Sequence, residues 1–153
     1  TRGGRAPTGG EQRASGEVTL THEDMTRFWI TLNQGVSLVM LALEKMYGGE
    51  IFVPKLPSMK IKDFISMLAP NAKMKTVGIR PGEKLHEVLV TAEEARHTKE
   101  FMNYYVILPE HDWWVGHDYF SHGQDVTDGF YLASDNNAQW INQDEMNKLL
   151  MSL

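Results

Sequence analysis

An arginine and a glutamate three residues apart, set in Gly78-Ile79-Arg80-Pro81-Gly82-Glu83-Lys84-Leu85-His86-Glu87, are the side chains of this sequence best suited to chemistry. Gly78 and Gly82 open backbone angles closed to other residues, while Pro81 fixes its own φ and pushes Arg80 towards an extended conformation. The guanidinium is thereby held out from a rigid bend, and the stretch is expected to run on into an amphipathic helix from residue 84 to about 90. A planar fork of donors just ahead of a helix N-terminus suits phosphate oxygens, and Glu83 beside it can accept from sugar hydroxyls. The pair reads as a nucleotide clamp. Turn chemistry alone leaves open a surface turn whose two charges are merely solvated.

A second arginine lies in Met25-Thr26-Arg27-Phe28-Trp29-Ile30, where strand alternation puts Met25, Arg27 and Trp29 on one face. An arginine among large apolar neighbours pairs with a carboxylate, the more ordinary outcome, or faces a ligand in a cleft. From Lys55 to Lys84, seven basic residues stand against Asp63 and Glu83, a local excess of five positive charges. Such a stretch attracts a small anion or is simply a solvated face. His111, His117 and His122, with Asp112 and Asp118 nearby, raise the question of a metal. No two of these histidines stand four apart to share a helical face, and no metal is expected.

The elements that must position these residues come from a chain of 153 residues, 42% hydrophobic and 10% aromatic, which suits one compact domain. The net charge of -5 lacks the basic footprint of a nucleic-acid-binding protein. With no cysteine there is no disulfide and no thiolate metal site, which fits a reducing, cytoplasmic setting. The longest apolar run, residues 36–43, is too short to span a bilayer, so no membrane partner is expected.

Residues 1–16, rich in Gly, Arg and small polar residues, read as a poorly ordered lead-in. Strands are predicted at 17–20 and 25–30, joined by a turn at 21–24. Thr31 and Gln34 form a capping box for a helix whose Val36, Val39, Met40, Leu43 and Met46 make a buried stripe. A strand at 50–53 closes at Pro54 and Pro57. Ser58 is then expected to cap a helix with Ile61, Phe64, Ile65 and Leu68 inward, stopped by Pro70. Strands follow at 73–77 and 103–108, and the alternation makes residues 17–108 an α/β lobe. Residues 109–153 read as an irregular tail, pinned by Trp113 and Trp114, with a terminal helix capped by Asn142 and Glu145 that buries Met146, Leu149 and Leu150.

From about Glu17 onward the chain resembles the C-terminal half of the inverting UDP-N-acetylglucosamine 4,6-dehydratases, which are extended short-chain dehydrogenases/reductases. The stretches that carry the resemblance are Met25-Thr26-Arg27-Phe28-Trp29-Ile30-Thr31, Gly48-Gly49-Glu50-Ile51-Phe52-Val53-Pro54 with Pro57-Ser58-Met59-Lys60, residues 78–87, and Tyr131-Leu132-Ala133-Ser134-Asp135-Asn136-Asn137 with Trp140. The resemblance implies an α/β chain that is the C-terminal substrate-binding part of a Rossmann-like fold, its nucleotide-binding half missing. It implies an enzyme that holds NADP in that missing half and acts on UDP-N-acetylglucosamine. C4 is oxidised, water is eliminated across C5 and C6, and hydride returns at C6 with inversion at C5. In bacteria this step opens the route to pseudaminic acid, used in flagellin glycosylation.

For this chain the resemblance implies that Arg27 and Arg80 contact the UDP pyrophosphate, that Glu83 contacts the ribose and that Thr21 lies near the uracil end. It also implies a homo-oligomer for the full-length protein. No tyrosine here has a lysine four residues later and the family's Gly-rich first βα turn is missing, so the chain alone is expected to be inactive. Residues 4–10 stand where the family has a short apolar run, as a local frame slip would produce. Two alternatives stay open. One is a non-catalytic module that binds a nucleotide sugar, and the other is part of a retaining 4,6-dehydratase or a 4-epimerase.

Overall fold

The computed structural model describes residues 16–111, 113–114 and 118–151, and the expected lead-in lies almost wholly outside them. Its centre is a four-stranded antiparallel sheet in the order β3 (Ile51–Pro54), β8 (Tyr104–Ile107), β7 (Thr98–Glu100) and β9 (Gln124–Asp125). β8 reads Tyr-Tyr-Val-Ile, aromatic and β-branched throughout, and every residue in it is buried. Strand alternation sends Tyr105 and Ile107 into a cluster with Val53, Val90 and Leu132, and Tyr104 and Val106 into a second cluster with Phe120.

Three two-stranded pairs surround this sheet. β1 (Glu17–Leu20) runs parallel to β5 (Lys73–Thr76), β2 (Thr26–Phe28) antiparallel to β4 (Ser58–Lys60), and β6 (Val88–Val90) antiparallel to β10 (Leu132–Ala133). The helices are α1 (Leu32–Lys45), α2 (Ile61–Leu68), the short α3 (Asp118–Ser121) and α4 (Gln143–Met151), with a 3-10 turn at Glu94–His97. The architecture is α/β, as expected. The stretch after residue 108 is woven into it, since β9 extends the sheet and Leu132 of β10 enters the core. Trp114 packs on Phe120, whereas Trp113 is exposed and stacks on His111. No helix among the described residues is long and apolar enough to cross a membrane.

Local capping signals are realised as read. Thr31 and Gln34 cap α1 reciprocally, and Asn142 and Glu145 do the same for α4, which buries Met146. The side chains of Leu149 and Leu150 lie outside the description.

Three expectations are corrected. First, residues 84–90 form no helix. A helix would need the carbonyls of Lys84 and Leu85 for the N–H groups of Val88 and Leu89. Those carbonyls instead accept from the Arg27 guanidinium, and Leu85 O also from Thr26 N, while Val88–Val90 pairs with β10. Second, Ser58 caps nothing. It is fully buried in β4, its N–H donates to Gln139 O and its hydroxyl accepts from Asn137, so α2 begins at Ile61 without a side-chain cap. Third, the apolar stripe of α1 is not buried. Val36, Val39, Met40, Leu43 and Met46 are 49% to 63% exposed, and only the opposite side, through Leu41, reaches the core. Leu68 of α2, expected to point inward, is exposed as well. Periodicity marks a face as apolar but does not supply the surface that covers it.

Candidate functional site

The turn around Arg80 is anchored at both ends. On the entry side Val77 N donates to Leu20 O (2.9 Å), continuing the β1·β5 pair. Within it Glu83 N donates to Arg80 O (3.0 Å), with Pro81 second and Gly82, at φ +81°, third. That combination is the signature of a type II turn, in which the third residue needs a positive φ. On the exit side Thr26 N donates to Leu85 O (3.2 Å).

All four residues singled out from the sequence meet at this turn. The Thr21 hydroxyl lies 3.5 Å from Glu83 Oε1, and Arg80 N donates to Glu83 Oε2 at 3.3 Å. The Arg80 side chain is exposed, and its guanidinium has no hydrogen-bond or ion-pair partner among the described residues. Arg27 is different. Its Nη1 donates to Thr26 O (2.7 Å) and Leu85 O (3.1 Å), its Nη2 to Lys84 O (2.9 Å), and its Nε lies 3.4 Å from Glu87 Oε1. Two of these bonds, to Lys84 O and Leu85 O, hold the exit leg of the turn, the third ties the guanidinium to β2, and one Nη2 hydrogen remains for a ligand. The carboxylate pairing that is ordinary for such an arginine is present, with Glu87.

Sequence reasoning missed a buried polar network behind the turn. Thr26 Oγ1 lies 2.8 Å from His86 Nδ1 and 2.6 Å from Ser134 Oγ, Glu87 N donates to Ser134 Oγ (2.9 Å), and Ser134 N donates to Glu87 O (2.8 Å). His86 Nε2 faces Asp135 Oδ2 at 3.8 Å. Thr26 and Ser134 are 108 residues apart, so no local pattern announces the contact. The available signal was indirect, because these residues belong to three of the stretches that carry the family resemblance.

Comparison with known proteins bears on what the turn serves. Residues 2–109 match the family model described as polysaccharide biosynthesis protein. The chain belongs to that family. Over 88% of its length it is 45% identical to a UDP-N-acetylglucosamine 4,6-dehydratase (inverting) from Campylobacter jejuni, covering 42% of that protein. Over 90% of its length it is 32% identical to a UDP-glucose 4-epimerase from Rickettsia bellii, covering 41%. Pen from Bacillus thuringiensis, known by X-ray structure, superposes on 94% of the chain with a TM-score of 0.76 at 25% identity, over 42% of its own length. The fold is thus that of part of a short-chain dehydrogenase/reductase chain, and the family expected from the sequence is the one found. This polysaccharide biosynthesis family member spans less than half the length of the curated relatives it matches.

The described residues of this family member do not fit a dinucleotide. Its one parallel strand pair among them is β1·β5, and β1 is followed by Thr21-His22-Glu23-Asp24 rather than by a glycine turn opening a helix. Of the residues that raised a metal site, His117 and Asp112 lie outside the description. Among the described residues no group of three or more His, Asp or Glu could hold a metal ion. Lys55 and Lys62, from the basic stretch, pair with Glu100 and Glu23.

Proposed function

We propose that this chain is the part of a nucleotide-sugar dehydratase that grips the UDP moiety of UDP-N-acetylglucosamine. The observation that carries the reading is the Arg80 guanidinium, unpartnered among the described residues and held out by a turn anchored on both sides, in a chain similar to an inverting 4,6-dehydratase. Arg80 offers its fork to the diphosphate, where charge-assisted bidentate bonds are strongest. Arg27 adds positive charge and one remaining N–H. Glu83 accepts from the ribose hydroxyls, and Thr21, already beside Glu83, lies towards the uracil.

Hydride transfer and elimination belong to residues outside this chain. NADP, bound there, would supply the redox chemistry, in a cytoplasmic homo-oligomer serving pseudaminic acid synthesis and flagellin glycosylation. Calorimetric titration of the chain with UDP, UDP-N-acetylglucosamine and pyrophosphate tests the reading, and NMR tests for product. Saturable UDP binding with no 4-keto sugar formed is the expected result. Absence of UDP binding would overturn the assignment of the turn, and turnover by the purified chain would overturn its assignment as a part.

The likeness to a UDP-glucose 4-epimerase favours a sister reading, in which the same UDP grip serves epimerisation at C4. A longer protein containing this chain decides between them. Loss of water from UDP-N-acetylglucosamine marks a dehydratase, and a C4 epimer of unchanged mass marks an epimerase.

A further inference from the structure

We infer that Thr26, Ser134 and His86 are positioning residues for the Arg80 turn, acting through one directional chain of hydrogen bonds. The direction follows from donor chemistry. Glu87 N–H can only donate, so Ser134 Oγ accepts from it at 2.9 Å and sends its own hydrogen to Thr26 Oγ1 at 2.6 Å. The Thr26 hydroxyl then donates to His86 Nδ1 at 2.8 Å, and the imidazole carries its proton on Nε2, towards Asp135. Reversing a link would strand a hydroxyl hydrogen in the interior, since Thr26 is 2% and Ser134 0% exposed. An Asp135, His86 and hydroxyl arrangement has the order of a nucleophilic triad, but a hydroxyl with no access to solvent cannot reach a substrate.

What the chain of bonds does is structural and local to the site. It fastens β2, the exit leg of the turn and the residues after β10 to one another, and the Arg27 bonds to Lys84 O and Leu85 O run alongside it. Glu83, which closes the turn on Arg80, is the residue next to that leg. The inference rests on the UDP reading for its ligand, but its geometric part stands apart from it.

The test uses the whole chain with Thr26→Val, which removes the hydroxyl at nearly constant shape, and Thr26→Ser, which keeps it. Ser134→Ala serves as the second variant should the valine protein fail to fold. Imidazole nitrogen shifts of the wild type are expected to show the Nε2–H tautomer of His86. In Thr26→Val that preference should weaken, Asp135 alone then favouring it, and the amides of Gly78, Gly82 and Glu83 should lose order while those of β8 stay unchanged. UDP affinity should fall about tenfold in Thr26→Val, as for one lost hydrogen bond, and stay within about twofold in Thr26→Ser. An Nδ1–H tautomer, or turn amides unmoved in both Thr26→Val and Ser134→Ala, overturns the inference. The two readings fail separately. Unchanged UDP affinity in Arg80→Ala sinks the UDP assignment alone, whereas loss in Arg80→Ala with none in Thr26→Val sinks the positioning role alone.

Discussion

Glu83 closes its own turn onto Arg80, taking the Arg80 backbone N–H at 3.3 Å on one carboxylate oxygen and facing the Thr21 hydroxyl with the other. The carboxylate therefore shapes the loop whose guanidinium has no partner among the described residues, and the two side chains divide into a holder and a hand.

Arg80→Ala should remove a charge-assisted bond of about 1.5 to 3 kcal/mol, roughly ten- to a hundredfold in UDP affinity. Arg80→Lys should restore only part of it, because lysine keeps the charge without the planar fork. Glu83→Gln should weaken UDP through the ribose while pyrophosphate binding stays the same or tightens slightly, a negative charge near phosphate having gone. Calorimetry with both ligands checks this. Equal losses for both ligands in both variants would show the turn to be purely structural.

Two glycines should fail for different reasons when replaced by alanine. Gly82 has open space where a Cβ would sit but a φ of +81°, so Gly82→Ala should cost about 1 to 2 kcal/mol of backbone strain and weaken UDP binding. In Gly123 a Cβ would lie 2.8 Å from the Phe101 ring and 2.9 Å from Lys99 Cβ. Gly123→Ala should therefore lower stability by about 1 to 3 kcal/mol through overpacking, with UDP affinity of the folded fraction unaltered. Denaturant titration beside UDP titration separates the two. A loss of affinity in Gly123→Ala equal to that in Gly82→Ala would refute the distinction.

The bare stripe of α1, with Val36, Val39, Met40 and Leu43 more than half exposed, should make the isolated chain self-associate. Sedimentation should show oligomers at micromolar concentration, shifting towards monomer in a Val39→Lys, Leu43→Glu double variant with unchanged circular dichroism. A monomeric wild type with a sharp, cooperative thermal transition would contradict the expectation.

Alkaline pH should expose a second property of the core. Burial, and then its bond to the Tyr119 hydroxyl, hold the Tyr104 hydroxyl well above its ordinary value near 10, and burial, with Glu100 next, raises Tyr105. With the folded value raised, the folded chain keeps a proton that the unfolded chain releases near pH 10, so the unfolded state binds fewer protons above that point. Stability is thus undiminished below about pH 10 and falls as pH rises beyond it. Denaturant midpoints from pH 8 to 11 should show that fall, and Tyr104→Phe should flatten it. An equal slope in the variant would place the effect elsewhere.

What the sequence determined by itself is whatever lies within a few residues. The reciprocal caps Thr31/Gln34 and Asn142/Glu145, and the Arg80-Pro81-Gly82-Glu83 turn, are contacts between residues three apart, so residue type and spacing suffice to specify them. β8 was legible because a wholly aromatic and β-branched run has little choice but a buried strand. Tertiary structure decided the rest. Residues 84–87 have helix-compatible composition, yet the carbonyls that a helix would use are claimed by Arg27 and Thr26, 57 to 59 residues earlier in the chain. Ser58 is a good cap by type, but Gln139 and Asn137 draw it into a strand edge. The polar chain from Glu87 through Ser134 and Thr26 to His86 joins segments up to 108 residues apart, and only the folded backbone brings their hydroxyls within reach. Local preference is a matter of about a kilocalorie per residue, and a satisfied buried hydrogen bond or a covered apolar face is enough to override it.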